Sequence, residues 1–321
     1  MLLNISNLLR LSNFPPNHPS GPDVYDLLSF SILISMEPIA ITALFDASAD
    51  EVWNALSRKD ELVKWYFPLQ EYQFEEGQTF TFYESAQSEK YFHRCRFLKI
   101  EPLSQIEYSW THPEHSAGTS VVRWELASEG SRTRVTLRHT GVESFADAGP
   151  EFARENFLEG WTTILHKNLR NHLYNVEKLC FVTEIRNLPE VVWKTLWEQE
   201  TYRQWAGEFS PGSYYRGEME KGNRIHFLAP DGNGMYSEVV ECCEPEKMVF
   251  KHLGWITNYL EMPVDEETGR WTGNMETYQL IPHPTGTILK VEVEAVEEHT
   301  DFFNSKLPPA LEKLSKLCIT S

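Results

Sequence analysis

The residues best suited to metal or nucleophilic chemistry are scattered along this sequence rather than grouped. Eleven histidines lie at irregular spacings, and the two closest, His112 and His115, fall in the turn-like stretch HPEH. No HExxH or CxxC pattern is present, and the segment DGNG at 231–234 has Met235 where a calcium loop needs its next ligand. The sequence also lacks a GxSxG elbow, a glycine-rich phosphate loop and a GxGxxG turn. We therefore expect no metal site, no cofactor, and neither hydrolase nor nucleotide chemistry.

One acid–base alternative stays open. His139, Glu84 or Arg94, if tuned by burial in an apolar cavity, could supply the single acid and base that a cyclase or hydratase needs. The same residues are more typical of solvated strand faces and an ordinary core histidine. We therefore assign no catalytic residue from the sequence.

Aromatic and polar-tipped side chains recur on one face of the strand-like segments in the first half of the chain. Their alternation predicts that they face the same side of a sheet, with a helical tryptophan opposite them. Such side chains suit a pocket that buries most of an apolar ligand and orients it through a few hydrogen bonds. The alternative interpretation is that they fill a core. The predicted ligand-binding residues are Phe80, Phe82, Tyr108, Trp110, Trp124, Leu137, His139 and Trp161.

The elements that must position these residues occur twice. The pattern VWxxL at 52–56 returns at 192–196, and each copy has a second tryptophan twelve residues after the first, Trp65 and Trp205. In the first copy an alternating strand pattern leads into SADE, where Ser48 and Glu51 have capping-box spacing at the start of a helix. Five strand-like runs and a long amphipathic helix pattern follow. Gly160, inside that helix pattern, predicts open space beside the helix.

The second copy keeps this order but differs at its end. Asn187 and Glu190 have the spacing of a second capping box. Pro308 and Pro309 can begin a helix but disrupt its interior, so we expect a short closing helix in this copy. No counterpart of the first copy's helical tryptophan follows Phe303.

These segments resemble a known superfamily. ASADEVWNALSRKDELVKWYFP, EPLSQIEYSW, RVTLRHTG and GWTTILHKNLRNHL are similar to the SRPBCC (START-like) superfamily, in the branch named for the activators of heat-shock chaperone ATPase. The resemblance is strong in the first copy and weak in the second. It implies an α+β fold of two helix-grip domains, each a curved antiparallel sheet around a long C-terminal helix that grips a cavity for an apolar or amphipathic molecule. The predicted division is an extension at 1–35 and domains at 36–178 and 179–321.

Composition is consistent with this division. A chain of 321 residues is long enough for two domains. The formal charge of −18 disfavours nucleic acid and anionic membrane surfaces, and five cysteines without a paired spacing favour a reducing cytoplasm. The apolar run LLSFSILIS at 27–35 is too short to span a bilayer, and we expect Met36 to be the natural start.

The sequence thus predicts a non-enzymatic or weakly enzymatic protein that binds a small hydrophobic or amphipathic molecule. We expect the cavity mainly in the first domain, with the second domain mainly a scaffold or partner surface. One alternative is a chaperone ATPase co-regulator, which the family name alone suggests. Another is a small-molecule cyclase or hydratase of the polyketide-cyclase type. A protein partner stays open.

Overall fold

The computed structural model describes residues 37–84 and 90–320. The expectations about residues 1–35 and about Met36 as the start lie outside the described residues. Within them, two antiparallel sheets, each with its own helices, confirm the α+β class and the tandem helix-grip arrangement.

The first domain begins with a strand and two helices, continues as a meander of five strands, and closes with a helix. Its first elements are β1 (Ile39–Phe45), α1 (Ala49–Ser57), α2 (Lys59–Trp65), β2 (Thr79–Glu84), β3 (Tyr91–Glu101), β4 (Gln105–Thr111), β5 (Ser120–Glu129) and β6 (Arg132–Thr140). After two 3₁₀ turns the closing helix starts as α3 (Arg154–Thr163), passes through a π-helical segment (Ile164–Leu169) and ends as α4 (Arg170–Leu173). The strands pair in the order β1-β6-β5-β4-β3-β2, all antiparallel.

The second domain repeats this order with additional short elements. Its elements are β7 (Glu177–Ile185), α5 (Pro189–Trp197), α6 (Gln199–Trp205), β8 (Tyr214–Arg216), β9 (Arg224–Leu228), β10 (Gly234–Cys243), β11 (Lys247–Thr257), β12 (Leu260–Glu261), α7 (Glu266–Trp271), β13 (Met275–His283), β14 (Gly286–Ala295) and α8 (Glu297–Thr320). The strand order is β7-β14-β13-β11-β10-β9-β8, with β12 beside β11.

The repeated tryptophans explain why the sequence pattern returns. Trp65 donates its indole N–H to the carbonyl of Ala55 (3.0 Å), and Trp205 donates to the carbonyl of Leu196 (3.1 Å). Each bond satisfies a carbonyl near the end of the first helix of its domain, where intrahelical partners run out. The second helix of each pair is thereby fixed against the first, which gives the repeat a structural role.

A second pair of equivalent residues joins each sheet to the start of its first helix. Thr133 donates its hydroxyl to the carbonyl of Ala47, and Thr287 donates to that of Asn187, both at 2.8 Å. Both threonines are fully buried. The two domains therefore share this hydrogen bond between sheet and helix start as well as their strand order.

The predicted capping box is present in the first domain and absent from the second. Ser48 accepts from the Glu51 N–H (3.2 Å), and the Glu51 carboxylate accepts from the Ser48 N–H (2.7 Å). In the second domain the expected cap on Asn187 was wrong. Leu188 is the N-cap residue, and the Asn187 amide instead donates to the carbonyl of Cys318 in α8 (2.7 Å).

The expectation of a short closing helix in the second domain was also wrong. Helix α8 has 24 residues and contains Pro308 and Pro309 in its interior. Both prolines are exposed, as are Asn304 and Ser305 one turn earlier. Carbonyls that lose their N–H partner to a proline can there bond to water, which lowers the cost of the interruption. In the described part of the chain, neither α8 nor another helix is long and apolar enough to cross a membrane.

The two domains are in direct contact. Trp271 of α7 is buried within the hydrophobic core of the first domain. Arg170, directly after the π-helical segment, donates to the Asn274 side chain (2.9 Å), and Lys167 pairs with Glu294 (3.1 Å). The closing helix of the first domain therefore braces β13 and β14 of the second.

The capping box provides a test of local stability. We expect Ser48→Ala to lower the free energy of unfolding by about 1 kcal/mol, because one donor in the first turn of α1 loses its acceptor. Ser48→Thr keeps a hydroxyl and should recover most of that loss. Urea unfolding of the three proteins measures the difference, and equal stability of the alanine variant and the parent would contradict the cap.

Candidate ligand-binding cavity

The eight residues predicted as a binding site come together in the first domain as a packed cluster. Every one is buried, with none more than 4% exposed. The Trp161 ring lies 5.1 Å from that of Trp110 and 6.1 Å from that of Trp124, in edge-to-face geometry. The Phe82 ring meets Trp110 in the same way at 5.4 Å. Such contacts between rings stabilise a core beyond the area they bury.

The polar tips of this cluster bond to each other. Trp161 donates to Nδ1 of His139 (2.8 Å), and the Ser120 hydroxyl lies 2.7 Å from Nε2 of the same ring. The Trp124 indole donates to the Tyr108 hydroxyl (3.0 Å). Burial lowers the pKa of His139 to about 3, so the ring is neutral at pH 7. Both of its nitrogens have partners, which leaves neither free for proton transfer.

Little open space remains between this sheet and its helix. One cavity of about 110 Å³ lies under α3 beside Gly160, and another of about 20 Å³ lies near Trp65. A Cβ added at Gly160 would meet no heavy atom within 4 Å, which confirms the open space beside the helix. Among the described residues of this domain, the large cavity expected here is absent, because aromatic side chains occupy the volume. A binding role for the eight residues stays a prediction, limited to a ligand that fits the smaller space.

The acid and base considered with His139 do not join it. The Glu84 carboxylate lies 3.7 Å from Nε2 of His93. Arg94 is exposed between two buried residues of β3, on the outer face, with its guanidinium 5.8 Å from the Phe92 ring centre. Within residues 37–84 and 90–320, no three His, Cys, Asp or Glu side chains are grouped closely enough to hold a metal ion.

The large cavity is in the second domain. Its volume is about 470 Å³, and it lies between the sheet and the first turns of α8. Exposed rings of Trp255 and Phe302 stand at its edge. Aromatic side chains from both short helices, four strands and α8 form most of its wall, among them Trp197, Tyr202, Trp205, Phe227, Phe250, Tyr278 and Phe303.

The strand register shows why side chains fill the space between sheet and helix in the first domain and leave it open in the second. The pairs β3–β4 and β10–β11 share an irregularity at the same distance from the turn, and β10–β11 has a second one farther from it. When residues are counted from the shared irregularity in each pair, Trp110 of the first domain falls at the same position as His252 of the second (252 − 110 = 142). On the next strand the register aligns Trp124 with Tyr278 (278 − 124 = 154). Smaller rings thus stand where the first domain has two tryptophans.

The residues at equivalent strand positions also differ in their chemistry. The same register aligns the fully buried Val122 with Glu276, and His139 with Val293 (both offsets 154). An apolar position of the first copy becomes a carboxylate in the second, and the histidine that binds the helical tryptophan becomes a valine. Without that tryptophan and its acceptor, the space under the helix is left open.

Glu276 has two polar neighbours in the cavity wall. The Tyr278 hydroxyl donates to one carboxylate oxygen (2.6 Å), and Nε2 of His252 lies 3.3 Å from the other. Burial, reinforced by the nearby carboxylate, raises the pKa of Tyr278 well above its ordinary value of 10. Tyr278 is therefore protonated at pH 7 and remains a donor. The other ring nitrogen of His252 lies 2.9 Å from the Ser237 hydroxyl.

A second carboxylate in the lining, Glu294, is already compensated. It pairs with Lys167 of the first domain (3.1 Å) and accepts from the Met275 N–H (3.1 Å). The lining includes no lysine or arginine. No lysine or arginine of this lining balances the charge of Glu276, and its nearest basic group is the His252 ring.

Sequence reasoning missed His252 and Glu276, although a signal for both was present. Aligning EPEKMVFKH with EPLSQIEYSW, with a gap of one residue in the turn after EP, sets a histidine against a tryptophan. Aligning NMETYQL with SVVRWEL sets glutamate against valine. A polar residue that replaces an apolar one at an inward-facing strand position of a repeat is the informative difference.

Comparison with known proteins supports the domain type. Residues 46–173 match the family described as Activator of Hsp90 ATPase homolog 1-like protein. No curated protein matches the chain significantly. The match confirms the resemblance in the first domain, and the strand order and register of the second show the same architecture.

Several solved structures are similar. Protein MLL2253 from Mesorhizobium loti is 18% identical, with 45% of this chain and 98% of that chain covered and a TM-score of 0.37. The di-domain ARO/CYC StfQ from the steffimycin biosynthetic pathway is 13% identical, covering 87% of this chain and 96% of its own, with a TM-score of 0.35. The di-domain ARO/CYC BexL from the BE-7585A pathway is 16% identical, covering 88% and 97%, also with a TM-score of 0.35.

The buried histidines of the first domain make its stability sensitive to acid. Burial lowers the pKa of His93 well below 6.5, that of His112 to about 4 and that of His139 to about 3. The unfolded chain takes up protons near pH 6.5 while the folded rings stay neutral, so stability is complete above that pH and falls below it. For His139 alone the loss between pH 6.5 and 4.5 is about 2 to 3 kcal/mol.

Urea unfolding at intervals from pH 7.5 to 4.5 measures this loss. Ion-paired carboxylates weaken folding only as they are protonated, nearer pH 4, so a decline that starts at pH 6.5 identifies the histidines. A free energy of unfolding that is constant from pH 7 to pH 5 would contradict the assignment.

Proposed function

We propose that this tandem SRPBCC protein, whose first domain matches the Activator of Hsp90 ATPase homolog 1-like family, binds a small apolar or amphipathic molecule in the cavity of its second domain. The observation that carries the proposal is the contrast between the copies. The same architecture is filled by side chains in one domain and encloses about 470 Å³ in the other.

The cavity has the properties of a small-molecule site. Its volume lies within the range of roughly 300 to 1,000 Å³ that is usual for ligand pockets. Its wall is mainly aromatic, with a few polar groups set close together on β11 and β13. An apolar ligand there would gain contacts with rings that otherwise face open space.

The wall is also held in place before a ligand arrives. Tyr202 packs edge-to-face on Trp205 (5.0 Å), and Trp197 packs in the same way on Tyr278 (5.0 Å). Asn274 is anchored from the first domain by Arg170. A preformed pocket requires little ordering when a ligand binds, which favours affinity.

The test compares cavity-filling variants of the two domains. N-phenyl-1-naphthylamine, an aromatic probe that is uncharged at neutral pH, should bind the full chain with enhanced fluorescence. Ala206→Phe places a ring in the lining of the large cavity and should weaken probe binding by roughly tenfold or more. Gly160→Leu adds a side chain at the lining of the small cavity of the first domain and should leave the affinity unchanged.

Circular dichroism and melting temperature establish that both variants are folded. Loss of binding in Gly160→Leu with retention in Ala206→Phe would place the site in the first domain and overturn the proposal. Absence of probe binding to the parent protein would also overturn it.

A further inference from the structure

We infer that the ligand of this cavity is an amphipathic organic cation, with an apolar body and one protonated amine that binds Glu276. The inference rests on the proposed function and specifies its ligand class. It starts from the polar groups of Glu276 and His252, whose bonding is incomplete; among the described residues of the same wall, the indole N–H groups of Trp197 and Trp271 also have no partner.

His252 supplies the first of the two polar groups. The residue is 3% exposed and lines the cavity, and its Nε2 has no hydrogen-bond partner among the described residues. The 3.3 Å approach to Glu276 does not have the direction that a hydrogen bond requires. A buried polar atom of this kind is costly unless a further group bonds to it.

Glu276 supplies the second. Its side chain is 14% exposed and accepts one hydrogen bond, from Tyr278, whereas a carboxylate can accept about four. Nδ1 of His252 lies 2.9 Å from the Ser237 hydroxyl, and in the tautomer that donates to this hydroxyl Nε2 is an acceptor beside the carboxylate. An ammonium group has three donors, and it can bond to the carboxylate and to this nitrogen at once.

The charge of the wall favours a cation over an anion. Two carboxylates and no lysine or arginine line the cavity, and Lys167 compensates Glu294 alone. A carboxylate or phosphate on the ligand would face Glu276 at close range in an apolar enclosure, where like charges repel strongly. A cation meets a carboxylate that no lysine or arginine of the lining balances.

The aromatic wall adds to this preference. The Tyr278 hydroxyl bonds to Glu276, and the Tyr278 ring centre lies 5.0 Å from that of Trp197 and 6.4 Å from that of Trp205. Ring faces attract ammonium groups, tryptophan most strongly, and the same rings receive an alkyl or aryl body. The fold does not require the charge, because Val122 occupies the corresponding strand position in the first domain.

The test uses three ligands that share one apolar chain. Octylamine, 1-octanol and octanoate are titrated against the full-length protein at pH 7, each displacing N-phenyl-1-naphthylamine. We expect octylamine to bind roughly tenfold or more tightly than 1-octanol, with octanoate the weakest. In Glu276→Gln, which keeps the shape of the side chain, octylamine should lose that advantage while 1-octanol is little changed.

Glu294→Gln is the matched control, since it removes the other carboxylate of the lining, and it should preserve the preference for the amine. If the probe binds but the three ligands displace it with equal affinity, or octanoate binds most tightly, this inference is overturned and the cavity proposal stands. An amine preference that survives in Glu276→Gln would also overturn it. Failure of the probe itself to bind would instead contradict the proposed function.

Discussion

The space between a curved sheet and its closing helix determines how the side chains pack in both domains of this chain. A helix laid across a concave sheet leaves space that side chains must fill if the domain is to be packed to ordinary density. In the first domain Trp161 fills it from the helix, and Trp110 and Trp124 meet it from the sheet. In the second, the equivalent strand positions carry His252 and Tyr278, and about 470 Å³ remains open.

This difference gives the tandem arrangement a physical rationale. A domain with a large cavity forgoes packing contacts, so the walls of the cavity need support from elsewhere. The filled domain provides it, because Arg170 bonds to Asn274, just before β13 of the open domain, and Lys167 pairs with Glu294 of β14. Trp271 also adds apolar contact by inserting into the core of its neighbour. The closing helix of one copy thus stabilises the start of β13 and the end of β14, which border the cavity of the other.

Much of the fold could be predicted from the sequence, because the signals are local. The tryptophan repeat, the alternating strands and the Ser48 cap depend on neighbours within a few residues. The interior prolines of α8 could not be placed, because their tolerance depends on which carbonyls reach solvent. The cavity was assigned to the wrong domain for a related reason. Its volume depends on which side chains oppose one another across sheet and helix, and the apolar composition of the two copies conceals that pairing.

The carboxylate of Glu276 shows how the two copies have diverged in chemistry as well as in volume. Burying a charge inside a wall of aromatic rings opposes folding unless hydrogen bonds compensate it. Tyr278 offsets part of that cost through its hydroxyl, and burial holds this tyrosine in the protonated form that can donate. The first domain avoids the cost altogether with Val122 at the same register. A residue that weakens the fold, faces the cavity and has spare acceptor capacity is better explained by what enters the cavity than by the architecture around it.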